Sequence, residues 1–452
     1  MTTPSPARTA PSSGAGAASQ ALAKRASACI AGGVVSLNRK VEPSIAFVRA
    51  QGSRLYDADG NEYIDYHGAF APYLLGHNDP EINAAVVAAI SADHSLMGSG
   101  TTPWEVELAE ALRAAVPSLE LVQITNTGSE ATAHAIRLAR AWTGRDDIIL
   151  TLGGYNGAHN DVARTVSPAL ADIGPRVSPG EYPFLPLSAG IPREVMQRVH
   201  IVNFNDLPSV ERLLATGRIA CVLTEPVLQN IGVVPPLPGY LQGLRDACTR
   251  HGTVLAFDEV KTGFRSALGG YQSLAGLRPD LSVFGKAVAN GYPLGVIGGR
   301  ADIMGLFDAA DPKRRVLVAG TYNAHPLASA AAIATLARLR RGDGEVYRHL
   351  ETLGRELESG MSGIFSDAGI TSSISRIGSA FCVYFCDHVP VDWHDVATNH
   401  DQDLDRRLRR ALIDRGIYLF PLPCKQGSIS YAHTSEDIAR TLETTRAAIK
   451  AL

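Results

Sequence analysis

The sequence predicts an α/β fold with a mainly parallel central sheet, crossover helices and a smaller α+β C-terminal part. Three observations carry this. At 452 residues the chain exceeds one usual core, so two lobes are expected. Between Ile201 and Lys286, short apolar runs (CVLTEPV, 221–227; TVLAFDEV, 253–260; LSVFGK, 281–286) alternate with helical patterns such as Gly239 to Arg250, the signature of strand–helix–strand units. Each run carries a charged residue at or near its end, Glu225, Asp258 or Lys286. Sheets of this kind bind ligands outside the carboxyl ends of their strands, so the three charges are expected to face one small molecule.

Composition narrows the class. Hydrophobic residues make up 45% of the chain, enough for a packed core, and the net charge of -3 comes from intermixed acids and bases. That balance argues against nucleic acid or an acidic membrane surface as partner. The six cysteines are scattered without a Cys-x-x-Cys pair, which predicts reduced thiols and a cytoplasmic setting. No apolar run approaches the roughly 18 residues of a membrane span.

Taken in order, residues 1–27 are expected to be a disordered leader, rich in Ala, Ser, Pro and Gly at its start. Residues 1–41 hold no acid but include Arg8, Lys24, Arg25, Arg39 and Lys40, a composition shared with organelle transit peptides. An N-terminal segment over 28–85 follows, in which SRLYDADGNEYIDY (53–66) reads as strand, Asp-Gly turn and strand. A large domain is expected over 86–325 and a small one over 326–452. Two helical patterns between Asp79 and Ala115 lead to LVQIT (121–125), a short buried strand.

Asn126-Thr127-Gly128-Ser129-Glu130 lies between that strand and the helical pattern AIRLARAW. A small-residue turn opening a helix aims several N–H groups at one point, where the helix dipole favours an anion by about 0.3–1 kcal/mol. A phosphate fits there; an ordinary N-cap by Ser129 or Thr127 is the alternative.

Other chemistries lack their motifs. No Gly-x-Gly-x-x-Gly follows a strand, and Gly285-Lys286 lacks the earlier glycine of a P-loop, which speaks against a dinucleotide dehydrogenase or an NTPase. No zinc motif or Gly-x-Ser-x-Gly elbow is present. His394 and His400 with Asp392, Asp395 and Asp401 read as a solvated acidic loop, so no metal is expected.

A free lysine amine, with a pKa of about 10.4, is a poor nucleophile unless desolvated or converted to an imine. An aldehyde cofactor bearing a phosphate and a basic ring nitrogen would use every part found: Lys286 for the imine, Gly128 and Ser129 for the phosphate, and Asp258 for the protonated ring nitrogen. That cofactor is pyridoxal 5′-phosphate.

NTGSEATAHAIRLARAWTGR, LTEPVLQNIGVVPP, LAFDEVKTGFR, GKAVANGYPLGVIGGR and GTYNAHPLASAAA resemble, in order, segments of the class III, fold type I aminotransferases. Within them the likeness is to the glutamate-1-semialdehyde aminomutase-like group. The resemblance implies a pyridoxal-phosphate-dependent transferase fold in which Lys286 carries the cofactor as an aldimine and Asp258 pairs with its ring nitrogen. It further implies Val260 on one ring face, Tyr155 on the other, and Asn230 near the 3-hydroxyl with Glu225 beside it. Thr321 would reach the phosphate of the neighbouring subunit, which implies a homodimer. GGVVSLNR (32–39) resembles the segment whose arginine binds substrate carboxylate, which makes Arg39 the candidate.

Departures from the aminomutase pattern fall in the recognition shell. Val35 and Leu37 stand where that pattern has Asn and Pro, Asn156 where it has His, and Lys425 where it has a Glu beside the substrate amine. Arg39, Asn156 and Lys425 are therefore the expected substrate contacts. The favoured reading is an aminotransferase that moves an amino group from an amino acid or amine to a keto acid or aldehyde by ping-pong kinetics. The aminomutase itself, a racemase or epimerase on the same scaffold, and a non-enzymatic cofactor-binding relative are the alternatives.

Overall fold

The computed structural model describes residues 15–452. Its centre is a seven-stranded sheet built from β4 (Leu121–Thr125), β5 (Asp147–Thr151), β6 (Val199–Val202), β7 (Ile219–Thr224), β8 (Val254–Asp258), β9 (Leu281–Gly285) and β10 (Gly295–Gly299). The spatial order is β4-β10-β9-β8-β7-β5-β6. β6, β5, β7, β8 and β9 pair in parallel, while β10 runs antiparallel to both β9 and β4. β5, β7, β8, β9 and β10 are buried along their whole length, so both faces of the sheet are covered. This explains why the strands read as near-continuous apolar runs. Two hydrophobic cores flank them, one around Leu150, Leu223 and Leu255, the other around Leu112, Phe284 and Leu336.

A second sheet joins distant parts of the chain. β1 (Phe47–Gln51), β2 (Arg54–Asp57) and β3 (Glu62–Asp65) form an antiparallel ribbon whose β2–β3 turn uses Gly60 at φ 88° and the Asp57 carboxylate as acceptor for the Asn61 N–H. β3 then pairs in parallel with β13 (Ile417–Tyr418), Ile64 opposite Ile417, which fastens the N-terminal segment to the C-terminal part. There β11 (Ser373–Ile377), β12 (Ala380–Tyr384) and β14 (Gly427–Ser428) make a third sheet. The helices Glu345–Asp367 and Ser435–Ile449 pack against each other beside it.

One expectation is corrected here. Of the leader expected to be disordered over 1–27, residues 1–14 lie outside the described residues, but Ala17–Cys29 is a helix. Asp59 accepts hydrogen bonds from the Ala18 and Ser19 N–H groups and from the Ser19 hydroxyl, and Ser19 is buried. A carboxylate 40 residues away in sequence caps this helix. Composition gives no sign of such a partner. Among the described residues no helix is long and apolar enough to cross a membrane.

Candidate active site

β7, β8 and β9 are adjacent and parallel, so their carboxyl ends deliver Glu225, Asp258 and Lys286 to one edge. All three line a cavity of about 310 Å³. Lys286, the first residue past β9, has φ 51°. That left-handed conformation costs a non-glycine residue about 1–2 kcal/mol, the kind of strain that collects at functional sites.

The two carboxylates are the most buried charges of the cavity, Asp258 3% and Glu225 2% exposed. Asp258 accepts from Asn156 Nδ2 at 2.9 Å and from the Val260 N–H at 3.1 Å. Its pKa is pushed up to about 7 by burial and then by the Glu225 charge, against which the two hydrogen bonds and Lys286 pull it down. Glu225 accepts from the Tyr155 N–H at 2.9 Å, Asn230 Nδ2 at 2.9 Å and the Gln229 N–H at 3.1 Å, and burial raises its pKa too. Burial holds the Lys286 amine below the usual lysine range, with Asp258 and Glu225 opposing. A lysine so placed offers more of the neutral, nucleophilic amine at neutral pH.

The start of the helix Gly128–Thr143 lines the same cavity. Thr127 caps it, accepting the Glu130 N–H, and Glu130 reciprocates to the Asn126 and Thr127 N–H groups at 2.7 and 3.2 Å. Among the described residues, the Gly128 and Ser129 N–H groups have no acceptor. The two readings of this turn are therefore compatible: Thr127 is the cap, and the first-turn amides stay available to an anion. A Cβ on Gly128 would lie 2.8 Å from Val260 Cγ2, so a side chain there would displace Val260 from the cavity wall. A Cβ on Gly157, which has φ 123°, would lie 3.0 Å from Ser129 Oγ.

A family model for class-III aminotransferases matches residues 36–433. The chain belongs to that family. It is 37% identical over 437 residues to the glutamate-1-semialdehyde 2,1-aminomutase of Citrifermentans bemidjiense, covering 95% of this chain and 98% of that protein. It is 40% identical over 440 residues to the enzyme of the same name from Sorangium cellulosum, covering 96% of each. Among solved structures, an ω-transaminase from Sphaerobacter thermophilus superposes with a TM-score of 0.88 at 31% identity, covering 96% of this chain and 98% of that one. The resemblance read from the sequence and the predicted fold class are both borne out. As a class III aminotransferase the protein is an enzyme that works with pyridoxal 5′-phosphate. The cavity fits that group: two unpartnered amides for a phosphate, a carboxylate with no cationic partner for a ring nitrogen, and a desolvated lysine.

The aminotransferase places its sequence-predicted residues unevenly. Gly128, Ser129 and Val260 line the cavity, as do Tyr155, Asn156 and Asn230. Asn156, expected to meet substrate, spends its amide on Asp258. Lys425 does not line the cavity; its Nζ donates to the Asn230 carbonyl at 2.9 Å, from behind the wall. Arg39 is exposed in the turn Leu37–Arg39, and Thr321 is exposed beside Gly320 at the rim of a second cavity of about 420 Å³. Neither lines the Lys286 cavity of its own chain. A larger concavity of about 560 Å³, bordered by Glu105, Arg113 and Asn323, contains none of the strand-end charges.

Sequence reasoning passed over Lys261, whose side chain also lines the cavity. Its signal was its place one residue beyond Val260 in the segment LAFDEVKTGFR. The acidic stretch read as solvated is largely buried: Asp392, His394 and His400 are at most 5% exposed, and Asp392 caps the helix Trp393–Asn399. His400, Asp405 and Cys424 bring their ligand atoms within 4.8 Å of one another. Protein groups already engage them, since His400 Nδ1 accepts the Phe385 N–H and Asp405 binds Arg409 Nε and the Cys424 N–H.

Proposed function

We propose that this chain is an aminotransferase that moves an amino group from an amino acid or amine to a keto acid or aldehyde. The observation that carries the reading is that Asp258 and Lys286, at the ends of neighbouring parallel strands, line one cavity together with Gly128 and Ser129, whose amides are open. When bound, the cofactor supplies an aldehyde that holds the amino group and a ring that accepts electrons. Gly128 and Ser129 would bind its phosphate, Val260 and Tyr155 would hold the ring, and Asn230 and Glu225 would meet its hydroxyl. Asp258 holds the proton of the ring nitrogen, and a cation there restores the carboxylate to its ionised form. The neutral Lys286 amine takes the proton from the donor's Cα.

On this reading the enzyme is a cytoplasmic homodimer in which Thr321 of one subunit completes the phosphate site of the other. The N-terminal segment 28–85 docks on a small domain, 326–452, beside a large cofactor domain, 86–325. Arg39 meets substrate carboxylate when the site closes, and Lys425 acts on the substrate through the Asn230 wall.

The aminomutase is the second reading, favoured by full-length relatives of that name at 37–40% identity. The pattern changes at Val35, Leu37, Asn156 and Lys425 favour the first. Incubating purified holoenzyme with a panel of amines and amino acids, without acceptor, separates them. An aminotransferase releases one equivalent of carbonyl product and stops until an acceptor is added. An aminomutase converts glutamate-1-semialdehyde through many turnovers with no second substrate, and that result would replace the proposal.

A further inference from the structure

The cavity holds one more amine than the functional reading uses. Lys261 is half-buried in its wall, and its Nζ donates to the Gln229 carbonyl at 2.7 Å. An ammonium carries three donors. Among the described residues Lys261 makes no other hydrogen bond and no ion pair; the Glu225 carboxylate is engaged by the Tyr155 and Gln229 N–H groups and by Asn230 Nδ2. Lys425 is anchored in the same way on the next carbonyl, that of Asn230. Lys261 and Lys286 are thus the two amines that line the cavity, and Lys425 stands just outside it. Burial, Lys286, Lys425 and Arg265 all act against the Lys261 charge, and Glu225 acts for it. A ligand that fills the cavity displaces water from the remaining donors, and the ammonium is then costly unless that ligand brings an anion to it.

We infer that Lys261 presents its ammonium to an anionic oxygen of the small molecules bound beside Lys286, either the phenolic oxygen of the cofactor or the carboxylate of the substrate. The inference rests on the cofactor reading of this cavity. It makes Lys261 a binding residue distinct from Arg39, and it gives the cavity a preference for an anionic occupant that Glu225 and Asp258 alone would not create.

The test uses holoenzyme and the variants Lys261→Met, Lys261→Gln and Lys261→Arg, each checked for cofactor content and Tm. The visible absorbance of the bound cofactor is titrated against pH, and KM is measured for matched donors with and without a carboxylate. A fixed cation favours loss of a proton from a neighbour, so if the phenolic oxygen is the partner, both neutral variants shift the absorbance midpoint upward by about one pH unit or more, and Lys261→Arg stays near wild type. If substrate carboxylate is the partner, the midpoint holds and KM rises about tenfold or more for the carboxylated donor alone. Unchanged midpoints and an unchanged donor ratio in folded Lys261→Met and Lys261→Gln would overturn the inference. Wild-type protein that binds no cofactor with visible absorbance would instead refute the reading beneath it.

Discussion

Asn156 donates from Nδ2 to Oδ2 of Asp258 across 2.9 Å, and both side chains are buried. A hydrogen bond to a charged group contributes about 1.5–3 kcal/mol, so this bond favours the ionised form of a carboxylate that burial pushes the other way. Asn156→Ala is expected to lower kcat/KM about tenfold or more, equally for every donor, because the loss acts through Asp258. Steady-state kinetics across several donors checks this. A loss confined to one donor class would return Asn156 to the role of substrate contact that its sequence position suggested.

Gly128→Ala tests the cradle. The added Cβ would stand 2.8 Å from Val260 Cγ2 and 3.1 Å from Cγ1, so Val260 must shift and the cavity wall changes shape. Gly128 also opens the helix with one of the two free amides. Alanine is acceptable to a helix, so the fold should tolerate the change while the cavity does not. Cofactor Kd is expected to rise about tenfold, with the Tm of cofactor-free protein within a few degrees of wild type. Fluorescence titration of cofactor-free protein and thermal melts provide the two measurements.

These relationships mark where reading the sequence ends. Strand ends were legible because β7, β8 and β9 are buried on both faces and so read as apolar runs, each closed by its charge. The helix start at Gly128 was legible because its turn is local in sequence. The bond from Asn156 to Asp258 was not, since it joins the loop after β5 to the end of β8, and nothing within either segment implies the pairing. The contact of Lys425 was not legible for the same reason: its ammonium ends on the Asn230 carbonyl, a partner that has no side-chain signature. The helix Ala17–Cys29 depends on Asp59, which sits in a hairpin turn that reads as ordinary.

Cofactor-free protein should carry the signature of Asp258 in its stability. The carboxyl stays protonated in the folded state up to a pKa of about 7, whereas in the unfolded chain it ionises near about 3.9. Between those values the folded state holds the extra proton, so this contribution is full below about pH 4, is lost as pH rises to about 7, and is level above. Glu225 acts in the same direction, while Lys286, whose pKa is lowered, adds stability as pH rises toward the ordinary lysine value. The comparison is therefore with Asp258→Asn. Wild-type Tm should fall relative to that variant across pH 4 to 7, at most by the equivalent of about 1.4 kcal/mol per pH unit, and saturating cofactor should flatten the difference.

Thr321 provides the test of subunit exchange. It is exposed and lies outside the Lys286 cavity of its own chain, so any contact it makes with cofactor comes from a second copy. If the enzyme is a homodimer as proposed, Thr321→Ala and Lys286→Ala proteins should each be impaired, the first through weaker cofactor binding and the second through loss of the amine. If the two proteins are unfolded together and refolded at equal amounts, the mixed dimer has one site with Lys286 from one chain and Thr321 from the other. That site should be fully functional, and with about half of the dimers mixed, activity should recover to about a quarter of wild type at cofactor concentrations where both parents are inactive. If Thr321 served its own chain, every site in the mixture would carry one of the two defects and no recovery would appear.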